Sequence, residues 1–141
     1  QEIMSKKSFE NALVDAKDLF NENFQNEKII HMLLNKYMIN KKNYPCYKDH
    51  LVGDTFCAEL KFISISKDLV SQINNILEKY QIRTSHYLDE SYIRNLFHNN
   101  FTNISDVAYK VKRGFNPNEV RLTPRNYKKK GFFEKFFQIF S

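Results

Sequence analysis

The chain has 141 residues, a formal net charge of +6, 42% hydrophobic residues and 13 phenylalanines, which is the size of one domain with room for a tail and enough apolar material for a core. Three glycines and three prolines argue against a turn-dense β-barrel, and two cysteines are too few for a disulfide framework or a Cys-rich zinc site. No run of about 18 apolar residues exists to span a membrane.

Cys46 and Cys57 read as reduced thiols of a cytosolic protein. The opening "QEIMSKK" has no apolar signal-peptide core and no initiator Met, as a piece of a longer protein would look. The charge is unevenly placed. Residues 107–141 carry nine Lys/Arg against Glu119 and Glu134, whereas residues 1–106 carry thirteen basic and fourteen acidic side chains. A neutral body with a basic end fits an anionic membrane surface better than a nucleic-acid-binding face.

In chain order, "SFENALVDAKDLF" puts Phe9, Leu13, Ala16 and Phe20 on one stripe and predicts a helix over 6–20, capped by Ser5 or Ser8. "EKIIHMLLNKYMI" alternates in part at Ile30, Met32 and Leu34 and predicts a strand over 27–39. Residues 40–54, with Pro45 and Gly53, read as a loop. "TFCAELKFISIS" alternates cleanly, with Phe56, Ala58, Leu60 and Phe62 on one face, and predicts a half-buried strand beside the first and antiparallel to it.

Ser66 reads as the N-cap of a helix over 67–80, whose apolar face holds Leu69, Val70, Ile73, Ile76, Leu77 and Tyr80. "QIRTSHYL" predicts a short third strand, and "DESYIRNLF" a short helix capped near Asp89. Beyond about residue 98 the periodicity fades into Asn, Pro and charge, which predicts an extended basic linker over 99–130. The expected fold class is α+β: a two-layer sandwich with about three strands in one sheet and two main helices, occupying residues 1–98.

No glycine-rich phosphate loop or nucleophile elbow is present, and the four histidines, His31, His50, His86 and His98, form no metal-ligand spacing. A thiol–imidazole pair of Cys46 and His50 is conceivable, but loop residues so spaced are usually solvated. The expectation is a protein that is not an enzyme and uses no cofactor or metal.

Residues 3–90 nevertheless carry a specific order of features. Ala16-Lys17 ends the first helix, Ile30-His31 and then Tyr37, Ile39 and Asn40 punctuate the strand, Leu51 and Gly53 close the loop, and Tyr80-Gln81-Ile82 follows the second helix. In this order and spacing the stretch resembles the inserted subdomain, called 1C, of the actin-like cell-division protein FtsA family. Leu34 stands where that family has a strand proline, and Lys48 and His50 stand at its loop proline and glycine. The resemblance implies a cell-division (divisome, septal) role through protein–protein interaction. It points to Lys48, His50, Leu51 and Gly53 as partner-binding positions, the partner being another division protein or a copy of itself. The family's ATPase core has no counterpart here.

The same family ends in a basic linker and an amphipathic membrane-targeting helix, and "NYKKKGFFEKFFQIFS" is similar in kind. On a helix of about 100° per residue, Phe132, Phe133, Phe136, Phe137, Ile139 and Phe140 fall within an arc of about 160°. Lys128, Lys129, Lys130 and Lys135 supply the cations expected beside an anionic headgroup layer. Each buried Phe contributes about 2 kcal/mol and each Lys about 1 kcal/mol, against roughly 10 kcal/mol to order the segment, so tethering should be reversible. The expectation is a helix over 131–141 and a peripheral protein on the cytoplasmic side of the cell membrane. Two other uses of the tail compete: its rings could pack on the protein's own sheet, or in a partner's groove. A different class, a nucleic-acid-binding module using Tyr109, Phe115 and Tyr127 with the basic tail, is the alternative.

Overall fold

The structure is a computed structural model and describes residues 6–45, 53–123 and 136–139. The elements run α1 (Lys6–Asn23), β1 (Glu27–Ile39), β2 (Lys42–Tyr44), β3 (Phe56–Ser66), α2 (Lys67–Glu78), α3 (Glu90–Leu96), α4 (Ile104–Lys112), β4 (Val120–Thr123) and β5 (Phe136–Ile139). The fold is α+β, with a three-stranded antiparallel sheet in the order β2-β1-β3 and four helices among the described residues, consistent with a small two-layer domain. A separate two-stranded ribbon pairs β4 with β5.

The expected pair of long strands is present, and β1 and β3 are neighbours. Backbone bonds close their pairing at both ends: Lys67 N–H donates to Asn26 C=O at 2.9 Å, and Asn40 N–H to Thr55 C=O at 2.9 Å. Between those bonds β1 has 13 residues and β3 has 11. Bulges in β1 therefore absorb two residues. Burial locates one of them. Met32 and Leu34 are buried, then Asn35 and Lys36 are both exposed, then Tyr37 and Ile39 are buried, so the inward parity switches in mid-strand. That switch is why the alternation in the sequence was only partial.

The stretch 40–54, expected as a loop, contains the strand β2. Ile39 pairs with Lys42, so Asn40 and Lys41 are a two-residue hairpin turn, and both have positive φ, 49° and 65°. A two-residue turn of the I′ type demands this backbone, and Asn tolerates it. Asn40 is then held in place, because its Oδ1 accepts from the backbone N–H of Asp54 at 3.0 Å and of Thr55 at 3.1 Å. Gly53 is buried beside this turn. A Cβ there would collide with Ile39 Cγ2 and crowd the Asn40 amide at 3.3 Å.

The expected strand over 81–88 is not formed. The helix α2 ends in a Schellman turn, with Gln81 at φ 58°, Ile82 N–H bonded to Leu77 C=O and Gln81 N–H to Glu78 C=O. The following segment is tied to α2 by side chains instead. Asn74 Oδ1 accepts from Thr84 Oγ1 at 2.7 Å and from Tyr87 Oη at 2.9 Å. The edge of β1 opposite β3 is already occupied by β2 and by a bridge from Leu33 to Glu119.

The stretch read as linker holds two elements. Asn103 caps α4 by accepting from Ser105 N–H at 2.9 Å, and Val107 and Val111, four residues apart, are buried. The strand β4 follows, with Val120 buried.

The chain divides into two compact units: Gln1–Glu10, Met32–Lys61 and Gly114–Ser141 in one, Asn11–His31 and Phe62–Arg113 in the other. The first has Phe9, Met32, Leu34, Tyr37, Ile39 and Val120 as buried apolar residues, with the Phe9 and Tyr37 rings edge-to-face at 5.3 Å. The second is built on Leu13, Tyr92, Ile93, Val107 and Val111, with the Phe20 and Phe62 rings stacked at 4.8 Å. In that unit the Asp89 cap of α3 accepts from Tyr92 N–H at 2.8 Å, as the sequence predicts.

Candidate interaction surfaces

The sequence pointed to two surfaces, the loop before β3 and the tail. Of the loop positions, Gly53 is described and buried, so it shapes the hairpin and is not itself displayed. Lys48, His50 and Leu51 lie outside the described residues.

In the tail, Lys128, Lys129, Lys130, Phe132, Phe133, Lys135 and Phe140 also lie outside them. Phe136, Phe137 and Ile139 are described, and here the expected helix is corrected. These residues form β5 and pair antiparallel with β4, Val120 opposite Ile139, Leu122 opposite Phe137 and Thr123 opposite Phe136. The physical reason is local. β4 offers a row of backbone donors and acceptors beside β-favouring neighbours, and an extended Phe-Phe-Gln-Ile run satisfies them. At these four positions the backbone pairs with one of the protein's own strands, in a ribbon separate from the three-stranded sheet.

A third surface was not singled out from the sequence. β3 is an edge of its sheet, and Cys57, Ala58, Glu59 and Lys61 are exposed along it, with Leu60 half-buried. Glu59 is anchored from β1: Asn35 Nδ2 donates to its Oε1 at 2.7 Å, and Lys36 Nζ lies 3.5 Å from its Oε2. Neighbouring residues of a regular strand point to opposite faces, so two of them reaching one carboxylate is the work of the bulge. The Asn35 hydrogen bond, and then the Lys36 charge, hold the Glu59 carboxyl below its ordinary range. Lys61, two residues on, shares the Glu59 face. Cys57 is a free, exposed thiol on that face.

The helix α2 buries less than its pattern implies. Val70, Ile73 and Leu77 are half-buried, while Leu69, Ile76 and the following Tyr80 are exposed. Tyr109, on α4, is also exposed, with the Arg113 guanidinium 5.5 Å from its ring centre and bonded to its hydroxyl at 2.9 Å.

His31 Nε2 accepts from Asp89 N–H at 3.0 Å, and its ring lies 4.4 Å from that of Tyr92. Burial, and then the neighbouring Tyr44, raise the Tyr37 hydroxyl above its ordinary value. Among the described residues no group of three or more His, Cys, Asp or Glu is placed to hold a metal, and no helix is long and apolar enough to cross a membrane. Comparison with known proteins finds no matching family, no matching curated protein and no matching solved structure.

Proposed function

We propose that this chain is a non-catalytic cell-division adaptor, whose small α+β domain binds division partners or a copy of itself and whose basic, Phe-rich tail tethers it to the cytoplasmic face of the membrane. The observation that carries the reading is the element order. A helix, a long strand, a loop ending in a required glycine, an adjacent antiparallel strand and a capped helix follow one another in the order the resemblance to the FtsA inserted subdomain implies, although the short strand that closes that order is not formed. The pairing of β4 with β5 is only four residues long. In this reading it is the lipid-free form of the tail, exchanged for a helix when the phenylalanines enter the acyl boundary.

Flotation with anionic vesicles tests the tether, and midcell recruitment of a fluorescent fusion tests the division role. The full chain should float with vesicles containing phosphatidylglycerol and gain helical circular dichroism there. Deleting residues 128–141 should abolish flotation, and Phe136→Glu should remove most of it, because an unpaired charge is costly to bury. Flotation that survives the deletion while the melting temperature falls by many degrees would overturn the tether.

A second reading, a nucleic-acid-binding module, is favoured only by the exposed Tyr109 on α4, next to Lys110, Lys112 and Arg113. Tight, salt-dependent binding of single-stranded oligonucleotide with no vesicle binding would select it.

A further inference from the structure

The geometry points to β3 as a self-pairing edge: two copies of the chain join antiparallel along β3, with Leu60 on the two-fold axis and Glu59 of each copy opposite Lys61 of the other. This rests on the reading that a copy of the chain is among the domain's partners, and it names the surface and the register.

The first support is that, among the described residues, no strand pairs with the outer edge of β3. β3 is the last strand of its sheet, and the two extra residues between the closing bonds lie in β1, not in β3. Protein sheets usually blunt such an edge with a bulge, a proline, a very short strand or charged side chains of one sign. β3 has only the last kind of device in a mixed form, Glu59 beside Lys61, which repels a random strand but matches an antiparallel copy of itself. β3 has 11 residues, no proline, and a central run that is exposed.

The second support is the direction of its backbone groups. Thr55 and Lys67 both turn toward β1 to make the bonds that close the pair. Carbonyls and amides alternate sides along a strand, so the odd-numbered residues between them bond to β1. The even-numbered Ala58, Leu60 and Phe62 then present their N–H and C=O groups outward, unused by the sheet.

The third support selects the register. A symmetric antiparallel pair centred on residue 59 sets Glu59 against Glu59, and one centred on 61 sets Lys61 against Lys61. Centres at 58 or 62 leave both charges opposite uncharged residues. The centre at Leu60 sets each Glu59 against a Lys61, twice over. In that register Leu60 with Leu60, and Ala58 with Phe62, are the hydrogen-bonded pairs. Glu59 with Lys61 is a non-hydrogen-bonded pair, the kind in which side chains approach most closely. Glu59 is already fixed by Asn35 and Lys36 and kept ionised, so less freedom is lost when the second cation arrives.

Sedimentation of the full chain over a range of concentrations, without lipid, tests the pairing. Twice the monomer mass is expected at the upper end. Lys61→Glu replaces two attractions by two repulsions and should weaken the dimer about tenfold or more. Mixing the Lys61→Glu chain with a Glu59→Lys chain should restore association as a heterodimer. Independently, Ile63→Cys in a Cys46→Ser background sets a thiol opposite Cys57 of the second copy, and mild oxidation should give a covalent dimer bridged from 57 to 63. A chain that stays monomeric throughout, or a dimer indifferent to Lys61→Glu, would overturn the inference. Because no vesicle is present, such a failure leaves the tether standing, and a failed flotation leaves the dimer standing.

Discussion

His31 shows how a single buried residue is committed. Its Nε2 takes the N–H of Asp89, whose own carboxylate caps α3, so one imidazole supports a helix start fifty-eight residues away in sequence. Replacing it by Leu keeps the apolar packing against Tyr92 but leaves the Asp89 N–H without its acceptor. We expect His31→Leu to cost about 1–3 kcal/mol, read as a lower urea midpoint with an unchanged slope. Glu59 gives a pH-dependent counterpart. Its folded carboxyl is held below the ordinary range, so its stabilising contribution is present above the pKa of the unfolded chain and is lost as pH falls through the folded one. Glu59→Gln should therefore lower stability at neutral pH, leave it unchanged at the acid end and so flatten the profile between them, which chemical denaturation from pH 3 to 7 would check.

At the scale of elements, what the sequence disclosed and what it hid have separate physical causes. The helices α1, α2 and α3 were legible because their apolar spacing and their Ser66 and Asp89 caps are local signals, and β3 because it alternates without interruption. The strand β2 was hidden because its turn is Asn-Lys, without the glycine that usually marks two positive φ angles. The strand predicted over 81–88 failed because β-like composition says nothing of side-chain bonds that hold a segment elsewhere, here those of Thr84 and Tyr87 to Asn74 of α2. The exposed charges on β3 could not be placed from sequence, since their setting depends on β3 being the outermost strand. The helix α4 hides among asparagines and lysines, yet Asn103 is a genuine cap. Asn103→Ala should lower stability by about 1 kcal/mol, seen in thermal unfolding, whereas a true linker would be indifferent.

Across the whole molecule, the charge asymmetry is the feature that most directly predicts behaviour. The positive excess lies beyond residue 106, and Lys128, Lys129 and Lys130 form its densest run. If the phenylalanines supply burial and these lysines supply screened attraction, changing all three to Gln should weaken vesicle binding without removing it. The steep dependence on salt between about 50 and 300 mM should flatten. A co-sedimentation titration at several ionic strengths separates the two contributions.

The placement of Val107, Val111 and Val120 has a practical consequence for anyone shortening this gene. By composition, the natural place to stop the chain is after residue 98, where hydrophobic periodicity ends. A stop codon there would strip buried valines from both compact units and remove the Glu119 bridge to Leu33. The truncated product would expose the vacated faces, and we expect it to be found in inclusion bodies. A product ending at residue 127 keeps all three valines and should remain soluble.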